Sequence, residues 1–162
     1  MTTRIWVLRH GEAERNTRHD PSRELTERGA QHAQAAGEWL AKTASPAVRL
    51  VASPYRRAQQ TAAQVARAFA DKTITTVDWL VPDIDPDEAL DELAKLGDRE
   101  IIVVSHQPLV SALLGLLIAA DYRAGPAMET ASLAALTTSI IAPGCATLIS
   151  LQHAPSYDTA VR

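Results

Sequence analysis

The sequence predicts an α/β fold, a three-layer α/β/α sandwich with a mostly parallel sheet and an antiparallel edge strand. Two observations lead to this class. Continuous apolar runs at residues 5–8 and 101–104 are typical of strands buried on both faces of a parallel sheet. Segments with helical spacing of apolar residues separate the runs, which places helices on both faces of the sheet. Because the chain has 162 residues, we expect residues 1–162 to form a single domain.

The first strand and the first helix are separated by a polar loop. Residues 5–8 are apolar without interruption and start the sheet. Residues 15–23 are polar and contain an Asp-Pro-Ser turn signal. Small and apolar residues then recur at helical spacing over residues 26–42, and Thr26 is a suitable N-cap for that helix.

A second strand and a second helix follow. Residues 49–52 predict a short strand. Ser53 and Pro54 have the order of an N-cap and a first-turn proline, so we expect the second helix to start there. Its apolar positions mark one buried face that ends at Phe69, and residues 74–79 predict a third strand.

The second half of the chain completes the sandwich. Residues 89–96 predict a short amphipathic helix, and residues 100–105 are the clearest buried strand. An apolar helix follows over residues 108–120. Two β-like segments at residues 132–138 and 145–152 flank a Pro-Gly turn and predict an antiparallel hairpin.

Composition and charge narrow the class of function. The formal net charge of −3 argues against a nucleic-acid binder, and no apolar run is long enough to span a membrane. Cys145 is the single cysteine, which excludes an internal disulfide and a multi-cysteine metal site. We therefore expect a cytoplasmic protein. The charge is uneven, since residues 1–67 carry a net +5 and residues 68–162 a net −8.

Basic side chains follow three of the predicted strands. Arg9 and His10 come after the first strand, Arg56 and Arg57 after the second, and His106 after the strand at residues 100–105. Ligands of open α/β sheets bind at the carboxyl ends of the strands, so these groups are expected to converge. Arginine forks bind phosphate oxygens, a neutral imidazole is a competent nucleophile, and a second, protonated histidine can donate to the same group. The pattern predicts a site for a phosphoryl dianion.

Each of these motifs alone has a plainer interpretation. An Arg-His-Gly segment can be a simple strand exit, and Arg56 with Arg57 can be a solvated helical turn. His106 can be a buried structural histidine. Their joint placement at three strand ends favours the functional interpretation.

Four sequence blocks resemble those of a known family. They are residues 9–12 (Arg-His-Gly-Glu), 25–29 (Leu-Thr-Glu-Arg-Gly), 53–61 (Ser-Pro-Tyr-Arg-Arg-Ala-Gln-Gln-Thr) and 105–106 (Ser-His). In this order they resemble branch 1 of the histidine phosphatase superfamily, which has a phosphoglycerate mutase-like fold. Within it, the short length and residues 105–110 are most similar to the SixA-type phosphohistidine phosphatases.

The resemblance implies roles for individual residues. His10 would be the nucleophile that becomes transiently phosphorylated, without a metal or other cofactor. The backbone N–H of Gln107 and the side chain of Asn16 are further candidates for contact with the phosphoryl group. The side chains implied to hold the phosphoryl oxygens are those of Arg9, Arg57 and His106.

Two departures from the family pattern bear on the substrate. Larger relatives carry a glutamate acid after the third strand, where this chain offers only Asp83 and Asp85 as candidate acids. Phosphohistidine leaves as a readily protonated imidazole, so a missing acid favours it over a phosphate ester. Only 48 residues separate Arg57 from His106, too few for a large lid, so the pocket is expected to admit a phosphohistidine on another protein.

Other functions remain open at this point. A phosphatase of small phosphate esters on the same scaffold is the nearest alternative, and a mutase is disfavoured because it needs a closed pocket. A non-catalytic module that binds a phosphorylated partner is a third. Arg15, Arg18 and Arg23 form either a solvated loop or a rim that recognises an acidic partner. The sequence leaves the oligomeric state undetermined.

Overall fold

The structure is a computed structural model that describes residues 1–15 and 18–157, and within them six strands and four α-helices are present. The strands are β1 (Thr3–Arg9), β2 (Arg49–Ala52), β3 (Ile74–Thr76), β4 (Glu100–Ser105), β5 (Leu133–Thr138) and β6 (Ala146–Gln152). The helices are α1 (Glu27–Thr43), α2 (Arg56–Ala68), α3 (Pro86–Lys95) and α4 (Leu109–Ala119). Two single turns of 3-10 helix lie at Asp20–Ser22 and Asp78–Leu80. No helix of this part of the chain has the length and apolar character needed to cross a membrane.

One sheet contains all six strands, in the order β3-β2-β4-β1-β5-β6. The pairs among β1 to β4 are parallel, whereas β5 pairs antiparallel with both β1 and β6. This confirms the mostly parallel sheet with antiparallel pairing at one edge. The register sets Arg9 opposite Ser105. The next residues, His10 and His106, therefore leave the sheet from neighbouring strands at the same level.

Helices cover both faces of the sheet, and alternate residues of each central strand serve the two cores. On β1, Trp6 and Leu8 belong to the core formed with α1 and α2, while Ile5 and Val7 belong to the core formed with α3 and α4. All four are nearly or fully buried. A strand buried on both faces needs apolar residues at every position, which explains the continuous apolar run in the sequence.

The sequence predicts the start of α1 correctly and the start of α2 wrongly. Thr26 is the N-cap of α1, and its Oγ1 accepts a hydrogen bond from the N–H of Gly29 at 3.0 Å. Ser53 is not the cap of α2, because its N–H still donates to the Val104 carbonyl as an extension of the sheet. The chain needs the next two residues to turn, so Tyr55 is the N-cap and the proline precedes the helix.

Candidate active site

The four basic side chains to which the family resemblance assigns roles lie together at the carboxyl edge of the sheet. They are those of Arg9, His10, Arg57 and His106. Nε2 of His10 is 3.3 Å from Nε of Arg57, and the rings of His10 and His106 are 5.1 Å apart between centroids. These three residues are buried, and Arg9 is half-buried. Burial and the nearby charge of Arg57 lower the pKa of Arg9, as expected for guanidinium groups that share one pocket.

His10 has its nucleophilic nitrogen defined by a backbone contact. Nδ1 lies 2.7 Å from the carbonyl oxygen of Gly11. A carbonyl oxygen only accepts, so Nδ1 must carry the ring hydrogen. Burial lowers the pKa of His10 to about 3; the hydrogen bond to Gly11 opposes this lowering, and the charges of neighbouring arginines add to it. The ring is therefore neutral near pH 7, and the lone pair of Nε2 accepts a hydrogen bond from Nε–H of Arg57 at 3.3 Å.

His106 is held by the residue that follows β2. Its Nε2 lies 2.7 Å from the hydroxyl oxygen of Ser53, and the Tyr55 ring packs against it at 5.1 Å between centroids. Its Nδ1 is buried and has no hydrogen-bond partner within residues 1–15 and 18–157. Burial lowers the pKa of His106 to about 2. The ring is therefore neutral in the surroundings that the protein itself provides, and a bound dianion would raise this pKa toward the protonated form that the sequence predicts.

Arg57 is fixed by Asp20, which comes from the loop after β1. Nη1 donates to the Asp20 carbonyl at 2.8 Å and Nη2 to its carboxylate at 3.2 Å. The guanidinium also lies over the Tyr55 ring, 5.3 Å from the centroid. Arg56, by contrast, is exposed and forms an ion pair with Glu24 at 2.6 Å. Of the two neighbouring arginines, the structure brings only Arg57 into the pocket.

The loop arginines divide into two kinds. Arg23 donates to the Asp20 carboxylate at 3.0 Å, and its charge adds to the lowering of the pKa of His10. Burial alone would raise the pKa of Asp20, but the hydrogen bonds and charges of its arginine neighbours lower it, so the carboxylate is ionised. Arg23 therefore belongs to the pocket edge. Arg15 and Arg18 are exposed on the same loop.

Arg9 is positioned by the segment that precedes β5. Its Nη1 donates to the Met128 carbonyl at 2.8 Å, across 119 residues of sequence. Ala131 has a left-handed backbone with φ of 58°, and its N–H donates to the carbonyls of Arg9 and His10. The Tyr157 hydroxyl donates to the Ala131 carbonyl at 2.6 Å. Sequence reasoning predicts no role for Met128 or Tyr157, because nothing local links them to the first strand.

Two motif glycines pack directly against each other beside the pocket. A Cβ atom on Gly11 would lie 2.5 Å from the Gly29 carbonyl oxygen, and one on Gly29 would lie 2.0 Å from the Glu12 carbonyl oxygen. The N–H of Gly11 also donates to Oγ1 of Thr61 at 3.0 Å. The loop after β1 can therefore approach the start of α1 and the middle of α2 only if both positions lack a side chain.

The other site residues predicted from the sequence either lie outside the described residues or form contacts away from the four basic side chains. Asn16 lies outside the described residues. Oε1 of Gln107 accepts from the Ser111 N–H at 3.2 Å, while no backbone carbonyl of the described chain accepts from the Gln107 N–H. Asp85 caps α3 through a backbone N–H at 2.9 Å, and Asp83 is exposed. Among described residues, neither carboxylate forms a hydrogen bond or ion pair with the four basic side chains.

The assembled groups suit chemistry at phosphorus. A neutral imidazole nitrogen faces guanidinium groups that can hold the oxygens of a phosphoryl group through forked hydrogen bonds. In the part of the chain that the structure describes, no cluster of three His, Cys, Asp or Glu residues could hold a metal ion.

Comparison with known proteins places this chain among phosphatases. The family profile of the histidine phosphatase superfamily (branch 1) matches residues 5–80, which include Arg9, His10 and Arg57. The phosphohistidine phosphatase SixA homolog of Haemophilus influenzae is 34% identical over 68% of this chain and 74% of its own length. Phosphohistidine phosphatase SixA of Escherichia coli is 26% identical over 82% of this chain and 84% of its own.

Solved structures share the fold. The protein histidine phosphatase SixA complexed with tungstate matches with a TM-score of 0.81 and 25% identity, over 92% of this chain and 96% of that chain. A mycobacterial glucosyl-3-phosphoglycerate phosphatase matches with a TM-score of 0.72 at 20% identity, which is a likeness of fold only, over 91% of this chain and 97% of that chain.

Proposed function

The chain belongs to branch 1 of the histidine phosphatase superfamily, and from that premise we propose that it removes the phosphoryl group from phosphohistidine on a protein. Its sheet and helices form the phosphoglycerate mutase-like fold that the sequence resemblance implied. Two relatives that it matches are named phosphohistidine phosphatases. A cytoplasmic location and catalysis without a metal are part of the proposal.

The observation that carries the proposal is the state of His10. Its Nδ1–H donates to the Gly11 carbonyl, which leaves Nε2 as a neutral nucleophile 3.3 Å from Nε of Arg57. In the first step Nε2 attacks phosphorus in line, the P–N bond of the substrate breaks, and the leaving imidazole takes up a proton. Water then attacks the phosphorylated His10, releases inorganic phosphate and restores the neutral ring. The groups that would hold the phosphoryl oxygens are those of Arg9, Arg57 and His106.

The acid–base character of the pocket favours a phosphoramidate over an ester. Within the described residues, the carboxylate bonded to this group of basic side chains is that of Asp20. Its pKa is lowered by its arginine neighbours, so it stays ionised and is a poor proton donor. An alkoxide leaving group needs a delivered proton, whereas an imidazole is protonated readily from solvent. A phosphatase of small phosphate esters is therefore the second candidate.

A panel of substrates tests the proposal. Rates are compared on a phosphohistidine-bearing protein, a phosphotyrosine peptide and a sugar phosphate, and a quenched reaction is searched by mass spectrometry for phosphate on His10. We expect a clear preference for phosphohistidine and a phosphorylated His10 peptide. His10→Ala should abolish turnover with the fold retained, because the nucleophile is lost.

The matched control removes a histidine away from the pocket. His32 lies on α1, and His32→Ala should keep the wild-type rate on every substrate. A clear preference for esters would favour the second candidate instead. Wild-type turnover by His10→Ala would contradict the covalent mechanism.

A further inference from the structure

We propose that Ser53 sets the tautomer of His106: the serine hydroxyl donates to Nε2, which places the ring proton on Nδ1 as a donor to the phosphoryl group. This deepens the proposed function and rests on it for the identity of the ligand. Ser53 is a positioning residue in this scheme, since it acts through His106 and not on the substrate.

The hydrogen bonds of the Ser53 hydroxyl indicate which group donates to which. Ser53 is completely buried, and its Oγ lies 2.7 Å from Nε2 of His106. The same oxygen already accepts a hydrogen bond from the N–H of Tyr55 at 3.2 Å. Among the described residues, Nε2 is the one acceptor within reach of the hydroxyl hydrogen. A hydroxyl that both accepts and donates here has its single hydrogen bonded.

The opposite direction leaves buried groups unsatisfied. If Nε2–H donated to Ser53, the serine hydrogen would have no acceptor in a fully buried position, which is unfavourable. Nδ1 of His106 would then be a buried acceptor with no hydrogen-bond partner among the described residues, and its lone pair would repel an approaching phosphoryl oxygen. With the proton on Nδ1, the buried nitrogen that lacks a protein partner becomes a donor suited to an anion.

The surroundings of His106 keep one proton on the ring. Burial lowers its pKa to about 2, and the nearby His10, Arg57 and Arg9 add to this lowering, while Asp20 opposes it. Because a ring with a single proton exists as one of two tautomers, a fixed hydrogen bond at Nε2 determines what Nδ1 offers.

The direct test is nitrogen-15 NMR of the histidine rings near neutral pH, with His106→Gln to assign the signal. We expect the wild-type His106 ring to show a protonated Nδ1 and an unprotonated Nε2. In Ser53→Ala the ring should become a mixture of tautomers or favour a protonated Nε2. A wild-type ring protonated at Nε2 would overturn the proposal, and this measurement does not depend on how well the variant folds.

Activity provides the second readout. In Ser53→Ala we expect kcat/KM on phosphohistidine to fall about tenfold to a hundredfold, the range for a lost hydrogen bond to a charged group. Ser53→Thr, which keeps the hydroxyl, should recover at least part of the lost kcat/KM. Ser45→Ala is the matched control, because Oγ of Ser45 also accepts an N–H two residues later, from Ala47, but contacts no histidine. Unchanged activity in a folded Ser53→Ala would also overturn the proposal.

The two proposals fail in different ways. If the wild type prefers phosphate esters while its His106 ring is protonated at Nδ1, the substrate assignment fails and the role of Ser53 stands. If phosphohistidine is preferred but the tautomer is reversed, only the role of Ser53 fails.

Discussion

Mild acid should destabilise this protein through the two histidines of its pocket. His10 and His106 are 5% and 1% exposed, and burial is the main cause that lowers their pKa values to about 3 and about 2. In an unfolded chain a histidine has a pKa near 6.5. The unfolded state therefore binds more protons than the folded state below that pH. The contribution of the two histidines to the free energy of unfolding is therefore fully present above about pH 6.5 and is lost as the pH is lowered toward 3.

The size of the effect near pH 5 depends little on the exact pKa values of the folded protein. Both rings remain neutral there in the folded state, whereas an unfolded histidine is about 1.5 pH units below its pKa. Each pH unit below that pKa lowers the free energy of unfolding by about 1.4 kcal/mol per histidine. Each ring therefore lowers it by about 2 kcal/mol at pH 5, and the pair by about 4 kcal/mol. Most domains are stable by only about 5 to 15 kcal/mol, so the loss is readily measured.

Urea denaturation at about pH 7.5 and about pH 5 measures this difference in the free energy of unfolding. The control is a variant with both His10→Gln and His106→Gln, which keeps polar groups but cannot titrate. We expect the wild type to lose about 4 kcal/mol more than the double variant between the two pH values. If both proteins lose the same amount, the histidines are not buried as neutral rings and the reasoning is wrong.

Two further predictions concern the loop that leads to α1. Thr26→Ala should lower the free energy of unfolding by about 1 kcal/mol, because the N–H of Gly29 loses its cap, and Thr26→Ser should restore most of it in the same urea assay. Asp20→Asn should tighten the binding of inorganic phosphate about twofold to fivefold. The Asp20 carboxylate competes with phosphate for Arg57 through a half-exposed ion pair, and the substitution removes that charge. Titration calorimetry measures this, and weaker binding would mean that Asp20 serves to orient Arg57 instead.

Local sequence patterns account well for the strands and helices. Apolar runs and helical spacing depend on neighbours a few residues apart, so most elements from β1 to β6 are predicted close to their observed bounds. The third strand is shorter than predicted, because it ends at Thr76 and Asp78–Leu80 form a turn of 3-10 helix instead. The error at Ser53 has the same origin. Its local sequence favours a helix cap, but its N–H pairs with Val104 on a neighbouring strand, and no local pattern records that contact.

The sequence by itself determined the fold class and the four basic side chains of the candidate site, because these side chains stand at the carboxyl ends of β1 and β4 and in the first turn of α2, which follows β2. Only the tertiary structure decided how those side chains are held. The partners of His106, Arg57 and Arg9 are Ser53, Asp20 and Met128, which are 53, 37 and 119 residues away in the chain. Such pairs meet because the sheet order sets β2, β4, β1 and β5 side by side, and directed hydrogen bonds between distant residues leave no periodic trace in a sequence.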